Sequence, residues 1–375
     1  MATRAETLRE PKRDTRDPSH SVARFEIRYT RFVDENGHVL TTLPEFANDP
    51  AGLKALYRGC VLTRAFDARA VALQRTGQLG TYPSSLGQEG VAVAIGSAMR
   101  ADDVLLPTYR ETGAMLARGV GMTDVLLYWG GDERGMAFAR PAQDFPICVP
   151  IATHAPHAVG VAFAIKHRGE RRAVVCALGD GATSKGEFYE AMNGAGVWQL
   201  PVVFVVSNNQ WAISMPRRSQ THAETLAQKA IAAGIPGEQV DGNDAVAVRH
   251  VLEQALARAR TGGGPQLVEA LTYRQSDHTT ADDARRYRDP EELATWCALD
   301  PLERLRKLMV QRDVWSADDE EALLTETKDA VERAVAEYLA TPPRSPESAF
   351  DHLFETLPAR LEAQRAEMAK WGPHE

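Results

Sequence analysis

Residues 173–209 read AVVCALGDGATSKGEFYEAMNGAGVWQLPVVFVVSNN, and this stretch decides the fold. Residues 173–178 and 202–206 are short apolar runs rich in β-branched side chains, which is typical of buried strands. Residues 184–198 favour a helix with one apolar face, and a Leu-Pro pair ends that helix. The apolar face carries Phe188, Ala191, Met192 and Ala195. The stretch therefore predicts a parallel strand pair joined by a helix.

Polar residues follow both predicted strands at the point where each strand ends. Gly179-Asp180-Gly181 comes after the first strand, and Asn208-Asn209 comes after the second. Open α/β sheets bind their ligands at the carboxyl ends of neighbouring parallel strands. Mg²⁺ takes a few protein oxygens and completes its coordination with phosphate and water. The two clusters therefore predict a site for a divalent metal and a diphosphate.

The residues around Asp180 agree with an anion site. Gly179 and Gly181 allow the backbone to approach a phosphate closely. Thr183 and Ser184 are expected to begin the helix, so that its free N–H groups lie beside the anion.

Other phosphate sites fit the same residues less well. A P-loop requires Gly before its Lys and Ser or Thr after it, whereas Lys185 follows Ser184 and precedes Gly186. A dinucleotide fingerprint lacks its third glycine, and amides stand where a ribose-binding carboxylate is expected. A nicotinamide oxidoreductase, which would use such a fingerprint, is nevertheless one alternative class of enzyme. Either cluster alone could also be a simple turn after a strand.

The GDG motif followed at this distance by NN resembles the thiamine diphosphate enzymes. The closer resemblance is to the α subunit of the decarboxylating first component of 2-oxo acid dehydrogenase complexes, from about Phe25 to the carboxyl terminus. Further segments that carry the resemblance are GQEGVAVAIGSAM (87–99), LPTYRETG (106–113), PIATHAPHAVGVAFA (150–164), TLAQKAIAAGIPGEQVDGND (225–244) and TYRQSDHTTADDARRYR (272–288).

The resemblance implies a set of cofactor and metal residues. Asp180, Asn209 and the backbone carbonyl of Trp211 match the family's Mg²⁺ ligands. Gly181 and Ala182 complete the GDG turn at the cofactor, and Ile151, with Val149 close by, matches the apolar support of the bent thiamine diphosphate.

The resemblance also implies residues that bind the diphosphate. Tyr109 and Arg110 match the family's diphosphate-binding pair, and an Arg fork suits phosphate oxygens. Arg274 and His278 lie in the loop that follows a strand predicted for residues 266–272. The matching His of the family touches the diphosphate and assists acyl transfer to lipoyl, which makes His278 the expected catalytic residue.

The loop of residues 275–288 is strongly polar, and we expect it to be mobile until cofactor binding orders it over the site. Thr279 matches a position that is a regulatory phosphorylation site in some members, where a phosphate would add negative charge beside the diphosphate.

The composition agrees with a large enzyme subunit. Of the 375 residues, 44% are hydrophobic, which suffices for a substantial core. No apolar stretch reaches the ~20 residues of a membrane span, and a formal net charge of −8 argues against nucleic-acid binding. The four scattered cysteines indicate neither a disulfide framework nor a zinc site and fit a cytoplasmic protein.

The expected organisation is an arm followed by one domain. Residues 1–22 are polar and mixed in charge, and we expect them to form a disordered arm without a targeting function. Residues 23–375 are expected to form a single α/β domain of the thiamine diphosphate-binding fold. Its sheet is mostly parallel with helices on both faces, and a helical extension covers about residues 300–375.

The predicted site lacks one part. Thiamine diphosphate needs a carboxylate at a ring nitrogen of its aminopyrimidine, and no Glu of this sequence is identified for that role. In the family this Glu comes from a separate β subunit, so the resemblance implies an α₂β₂ heterotetramer that also acts on a lipoyl-bearing dihydrolipoyl acyltransferase. The chain alone should be inactive, and a noncatalytic subunit with the same fold is a second alternative.

The substrate is expected to be a small 2-oxo acid. The TLAQKAIAAGIPG segment resembles pyruvate-specific α subunits, whereas PIATHAPHAVG and NNQWAIS also resemble branched-chain ones. His154 replaces the Gln common in branched-chain members, which puts their potassium site in doubt and favours pyruvate. Residues 82–85 are expected to shape the substrate pocket, but one or two methylenes change binding by only about 1–3 kcal/mol each.

Overall fold

The computed structural model describes residues 21–139, 141 and 143–370. Most of the predicted N-terminal arm, residues 1–20, lies outside the described residues, while Ser21 and Val22 are exposed. Six strands form one sheet in the order β1-β7-β8-β4-β3-β2, and every pair in it is parallel. The strands are β1 Arg28–Thr30, β2 Val104–Leu106, β3 Val174–Gly179, β4 Val202–Asn208, β5 Trp211–Ala212, β6 Met215–Pro216, β7 Gly237–Asp241 and β8 Gln266–Leu271. Strands β5 and β6 form a separate antiparallel ribbon.

Helices connect and surround these strands. They are α1 Glu45–Asn48, α2 Pro50–Arg75, α3 Glu89–Ala98, α4 Thr112–Ala117, α5 Met122–Trp129, α6 His154–His167, α7 Gly186–Trp198, α8 Lys229–Ala232, α9 Ala245–Arg260, α10 Pro290–Cys297, α11 Pro301–Gln311, α12 Ala317–Ala340 and α13 Ala359–Met368. Short 3₁₀ helices cover Glu133–Met136, Asp180–Ser184, Arg217–Ser219, Ala284–Arg286 and Pro346–Phe350. Of the helices that the structure describes, none is long and apolar enough to cross a membrane.

The central strands are buried on both faces, which confirms the predicted sheet with helices on each side. In β3, Val174, Cys176 and Leu178 pack with residues of α6 and α7, whereas Val175 and Ala177 pack with residues of α3 and α9. This follows from the strand period of two, which sends successive side chains to opposite faces. The expected helical extension is also present in α11, α12 and α13.

Helix α7 has the predicted buried face but begins later than predicted. Its buried residues are Phe188, Ala191, Met192 and Ala195. The helix starts at Gly186, because Asp180–Ser184 forms a 3₁₀ helix in which the Thr183 hydroxyl donates to the Asp180 carbonyl at 2.8 Å. The prediction that Thr183 and Ser184 begin the helix was therefore wrong, since Thr183 is bonded to the preceding turn.

Asp244 is a structural carboxylate that joins helix α9 to the segment that follows β1. One of its oxygens accepts from the backbone N–H groups of Val246 and Ala247 and so caps α9, at 3.1 Å each. The other accepts from the N–H groups of Phe32 and Val33, at 2.8 Å each, just after β1. Asp244 is 2% exposed, so water does not replace these bonds.

The variant Asp244→Ala is expected to lower the free energy of unfolding by about 2–4 kcal/mol, because it removes a helix cap and leaves buried N–H groups without acceptors. Urea unfolding followed by circular dichroism measures this loss. The control is Asp329→Ala on the exposed side of α12, which should change stability by less than about 0.5 kcal/mol. Equal stability of the two variants would contradict the role of Asp244.

Candidate active site

A cavity of about 590 Å³ lies at the carboxyl ends of β3 and β4. These strands pair in register, with Gly179 opposite Ser207, so the residues that follow them meet at one edge. Asp180 and Asn209 both line the cavity and are 2% and 5% exposed. Burial raises the pKa of Asp180, against the opposing effect of a hydrogen bond from Gln220. The two predicted polar clusters therefore belong to one site.

The β5–β6 ribbon and the turn that follows it cover this edge and are hydrogen-bonded to both clusters. The Gln220 side-chain amide donates to Asp180 at 2.8 Å, and the Trp211 N–H donates to the Asn209 side-chain oxygen at 3.1 Å. A Cβ at Gly181 would lie 2.7 Å from the Ala212 Cβ, so glycine is required for the ribbon to sit this close. The ribbon thus fixes the orientation of the predicted metal ligands.

Backbone strain is concentrated around the cavity. Ala152, Gln210 and Ile213 have φ values of 63°, 72° and 55°, although none of them is glycine. Positive φ is especially unfavourable for a β-branched residue such as Ile213. Ala152 and Ile213 line the cavity, and Gln210 lies between the lining residues Asn209 and Trp211. Strained residues of this kind often mark functional sites, where the surrounding structure holds them in place.

Two guanidinium groups near the cavity have only neutral hydrogen-bond partners within the part of the chain that the structure describes. Arg110 donates to the backbone carbonyls of Ser84 and His278, and Arg274 donates to the Ile213 carbonyl at 2.9 Å and the Tyr287 hydroxyl at 2.8 Å. They are 7% and 0% exposed. Burial lowers the pKa of Arg110 to about 10. Buried cations with neutral partners have a large unmet electrostatic demand, which an anion would satisfy.

His278 lies against both guanidinium groups. Its Nδ1 is 2.9 Å from Arg110 Nη2 and 3.3 Å from Arg274 Nη1. Because a guanidinium only donates, Nδ1 must accept, so the imidazole is neutral and carries its proton on Nε2. Burial, followed by the charges of Arg110 and Arg274, lowers the pKa of His278 to about 4.

The positions of the other predicted site residues also agree with a shared cavity. Val149 and Ile151 are 46% and 43% exposed and line the cavity rather than belonging to the core. Tyr109, Arg110, Gly181, Ala182, Trp211 and His278 line the cavity as well. Arg274 alone of the predicted set does not line it and reaches the site through His278.

Residues 82–85, which were expected to shape a substrate pocket, differ in their contact with the cavity. Pro83 lines the cavity, together with the unpredicted neighbour Thr81. Tyr82, Ser84 and Ser85 do not line it, since their side chains hydrogen-bond to a buried carboxylate on α2.

Several lining residues were not predicted. Gln88, Ala212, Ile213 and Trp129 line the cavity, and Gln220 contacts it through Asp180. Gln88 is the second residue of the quoted GQEG segment. A polar residue inside a segment that resembles the family was therefore the signal that could have identified it. The other positions carry no sequence pattern that points to a pocket.

The loop of residues 275–288 has a defined conformation in the structure. Arg288 donates to the carbonyl of Arg274 at 2.6 Å, and the His278 N–H donates to Asp282 at 2.9 Å. Thr279 lines the cavity. Ordering of this loop by cofactor, and any regulation through Thr279, stay predictions.

The site fits the diphosphate of thiamine diphosphate. The buried Arg110 lines the cavity, Arg274 reaches it through His278, and the Nε of Arg274 has no hydrogen-bond partner among the described residues. The described residues contain no cluster of three or more His, Cys, Asp or Glu that could bind a metal without help. The carboxylate of Asp180 at the strand ends, with the side-chain oxygen of Asn209 in the same cavity, instead suits Mg²⁺ that shares its coordination with phosphate and water.

The pKa of His278 predicts a dependence of stability on pH. A folded-state value of about 4, below the ordinary 6.5, means that the unfolded chain binds the extra proton first as the pH falls. Stability should therefore decrease as the pH falls from 6.5 toward 4. The variant His278→Gln should lose about 1–2 kcal/mol less than wild type over this range.

Urea unfolding of the cofactor-free chain at pH 7 and pH 5 measures this difference. The exposed His222 provides the control, since His222→Gln should follow the wild-type profile. A His278→Gln profile that coincides with wild type would show that the imidazole is not held neutral.

Comparison with known proteins identifies the family. The profile described as "Dehydrogenase E1 component" matches residues 57–347. The chain is 42% identical over 316 residues to the 3-methyl-2-oxobutanoate dehydrogenase subunit alpha of Mycobacterium tuberculosis, which covers 84% of this chain and 86% of the relative. It is 38% identical over 345 residues to the pyruvate dehydrogenase E1 component subunit alpha of Staphylococcus aureus, which covers 91% of this chain and 92% of the relative. The chain therefore belongs to the dehydrogenase E1 component family, as an alpha subunit of a 2-oxo acid dehydrogenase.

Proposed function

We propose that this chain is the α subunit of a pyruvate dehydrogenase decarboxylating component that uses thiamine diphosphate and Mg²⁺. The observation that carries the proposal is the charge arrangement of the cavity. Among the described residues, Arg110 and Arg274 have no acidic hydrogen-bond partner, whereas the carboxylate of Asp180 is buried at the strand ends and lines the cavity together with Arg110. A metal diphosphate matches both features, since it presents negative oxygens to the arginines and a cation to the carboxylate.

Each residue of the site has a role in this proposal. Asp180, the Asn209 side chain and the Trp211 carbonyl bind Mg²⁺, and Gln220 orients Asp180. Tyr109, Arg110 and Arg274 neutralise the diphosphate, while Gly181 and Ala182 allow the backbone to approach it. Ile151, with Val149 close by, would support the bent cofactor. Bound thiamine diphosphate supplies the electron sink for decarboxylation of a 2-oxo acid.

His278 acts as a hydrogen-bond donor through Nε2. Its Nδ1 accepts from arginine, so the ring cannot rotate without losing these bonds. A neutral imidazole with a fixed Nε2–H can donate to a diphosphate oxygen or to the acyl oxygen during transfer to lipoyl. In the ligand-free chain, burial and the charges of Arg110 and Arg274 lower the pKa of His278, which favours the neutral imidazole.

A β subunit completes the active site. Glu111 is the glutamate among the described cavity-lining residues, and its carboxylate already accepts from the Thr108 N–H at 2.7 Å and from the Thr108 hydroxyl. It is therefore not free to serve the aminopyrimidine ring. We propose that the required carboxylate comes from a β subunit in an α₂β₂ assembly, and that the acyl acceptor is a lipoyl group of a dihydrolipoyl acyltransferase.

The preference for pyruvate over a branched 2-oxo acid rests on the residue at position 154. Trp129 and Pro83 also line the cavity. His154 donates from Nε2 to the Ala177 carbonyl at 2.6 Å, and burial lowers the pKa of His154. A buried imidazole in this position supplies no oxygen ligand, which argues against a potassium site of the branched-chain type.

A branched-chain 2-oxo acid dehydrogenase α subunit is the second candidate. The specific observation in its favour is the 42% identity to the Mycobacterium tuberculosis subunit, against 38% for the Staphylococcus aureus pyruvate subunit. The two values are close, and the longer alignment belongs to the pyruvate relative.

The substrate can be determined with the α₂β₂ assembly made by co-expression with the cognate β subunit. Release of CO₂ is measured from pyruvate and from 3-methyl-2-oxobutanoate. We expect kcat/KM to be at least about tenfold higher for pyruvate, since each misfitting methyl group changes transition-state binding by about 1–3 kcal/mol. A preference for the branched acid would reject pyruvate and support the second candidate.

The variant Asp180→Asn tests the metal site in the same assembly. Loss of the single carboxylate should weaken Mg²⁺-dependent binding of thiamine diphosphate by about 100-fold, because the amide lacks the charge that holds the metal. Isothermal titration calorimetry measures the affinity, and the exposed Asp329→Asn change serves as a matched control. Wild-type affinity in the Asp180 variant would mean that the metal is held elsewhere.

A further inference from the structure

Residues 81–86 form a short segment with two different sides. Thr81 and Pro83 line the cavity, whereas Tyr82, Ser84 and Ser85 are buried and face away from it toward α2. This division lets a residue outside the cavity control where the cavity-lining residues lie.

Asp67, on α2, accepts the hydrogen bonds that the hydroxyl groups of Tyr82, Ser84 and Ser85 donate. Its carboxylate accepts from the Tyr82 hydroxyl at 3.2 Å, the Ser84 hydroxyl at 2.5 Å, the Ser85 N–H at 2.7 Å and the Ser85 hydroxyl at 3.1 Å. Asp67 is 4% exposed, and each of these four donors is a neutral group. A buried carboxylate held by four neutral donors needs all of them, so it constrains the segment strongly.

The same segment holds the loop that carries His278. The Tyr82 N–H donates to the Thr280 hydroxyl, and the Thr280 N–H donates to the Tyr82 carbonyl, both at 3.0 Å. The Gln275 N–H donates to the Leu86 carbonyl at 3.1 Å. These contacts lie on either side of His278 in the chain, so the segment fixes both ends of the part of the loop that enters the site.

The segment also holds one of the arginines. The Ser84 carbonyl accepts from Arg110 Nη1, while the Ser84 hydroxyl donates to Asp67. A displacement of Ser84 therefore moves the guanidinium that contacts His278.

We propose that Asp67 is a positioning residue that sets the acyl-chain selectivity of the 2-oxo acid site and the placement of the His278 loop. It touches neither substrate nor cofactor and acts through residues 81–86. The selectivity part rests on the proposed function. Pro83 and Thr81 belong to a segment that Asp67 fixes, and a shift of about 1 Å in a lining residue changes the fit of a methyl group.

The experiment uses the α₂β₂ assembly with Asp67→Ala, which removes all four acceptor contacts, and Asp67→Asn, which keeps one acceptor oxygen. Hydrogen exchange of the cofactor-free assembly, read by mass spectrometry, should be at least tenfold faster at the Gln275 and Thr280 amides in Asp67→Ala. In the loaded enzyme the ratio of kcat/KM for pyruvate over 2-oxobutanoate should fall at least fivefold. Asp67→Asn should recover most of both values.

Asp103→Ala is the matched control. Asp103 is 1% exposed, accepts from the Ala173 N–H at 2.8 Å and pairs with Arg260, but it lies at the amino end of β2, away from the cavity. This variant should lose thermal stability while leaving the loop exchange and the substrate ratio at wild-type values. If Asp67→Ala does not fold, Ser84→Ala removes one donor and should change both readouts in the same direction.

The outcomes separate this inference from the proposed function. Unchanged exchange at Gln275 and Thr280 in the Asp67 variants overturns the positioning role. Faster exchange with an unchanged substrate ratio overturns the role in selectivity. If the wild-type assembly decarboxylates none of the 2-oxo acids, the proposed function fails, and the exchange measurement still decides whether Asp67 positions the loop.

Discussion

The site depends on two positively charged guanidinium groups that are buried close together and hydrogen-bonded to neutral groups. Arg110 and Arg274 lie against one imidazole, and the protein offers them carbonyl, hydroxyl and ring-nitrogen partners rather than carboxylates. Asp180 is equally buried and is bonded to an amide rather than to a cation. Such an arrangement is costly in the free protein, because desolvated charges are stabilised only partly by neutral partners. The surrounding sheet, ribbon and loop must therefore hold these groups in position before any ligand arrives.

The parallel sheet and the first polar cluster could be predicted from the sequence because their signals are local. The apolar runs of β3 and β4 and the spacing of Phe188, Ala191, Met192 and Ala195 report burial directly through the strand and helix periods. The start of α7 could not be predicted, since Thr183 can cap a helix or bond to the preceding turn with similar ease. Here the Thr183 hydroxyl donates to the Asp180 carbonyl three residues earlier, and the helix begins only at Gly186.

The β5–β6 ribbon and the long-range hydrogen bonds that hold the site residues could not be predicted from the sequence, for a different reason. Strands of two residues such as β5 and β6 contain no period, and the positive φ of Ile213 conflicts with its β-branched side chain. Gln220 meets Asp180 across 40 positions of the chain, and Tyr82 meets Thr280 across 198. Contacts at such separations leave no pattern in one sequence. The resemblance to a known family supplied Tyr109, Val149 and Ile151, which composition and spacing alone would have assigned to the surface or the core.

The close approach of Gly181 to Ala212 limits how this pocket can be altered by design. The two residues belong to different elements, a turn after β3 and the first strand of the ribbon, and their separation leaves no room for another methyl group. A library that varies either position alone would displace the ribbon and, with it, the Trp211 carbonyl and Gln220. Productive variants should therefore be sought by mutating the pair together with the ribbon backbone, or by leaving both unchanged and varying the opposite wall.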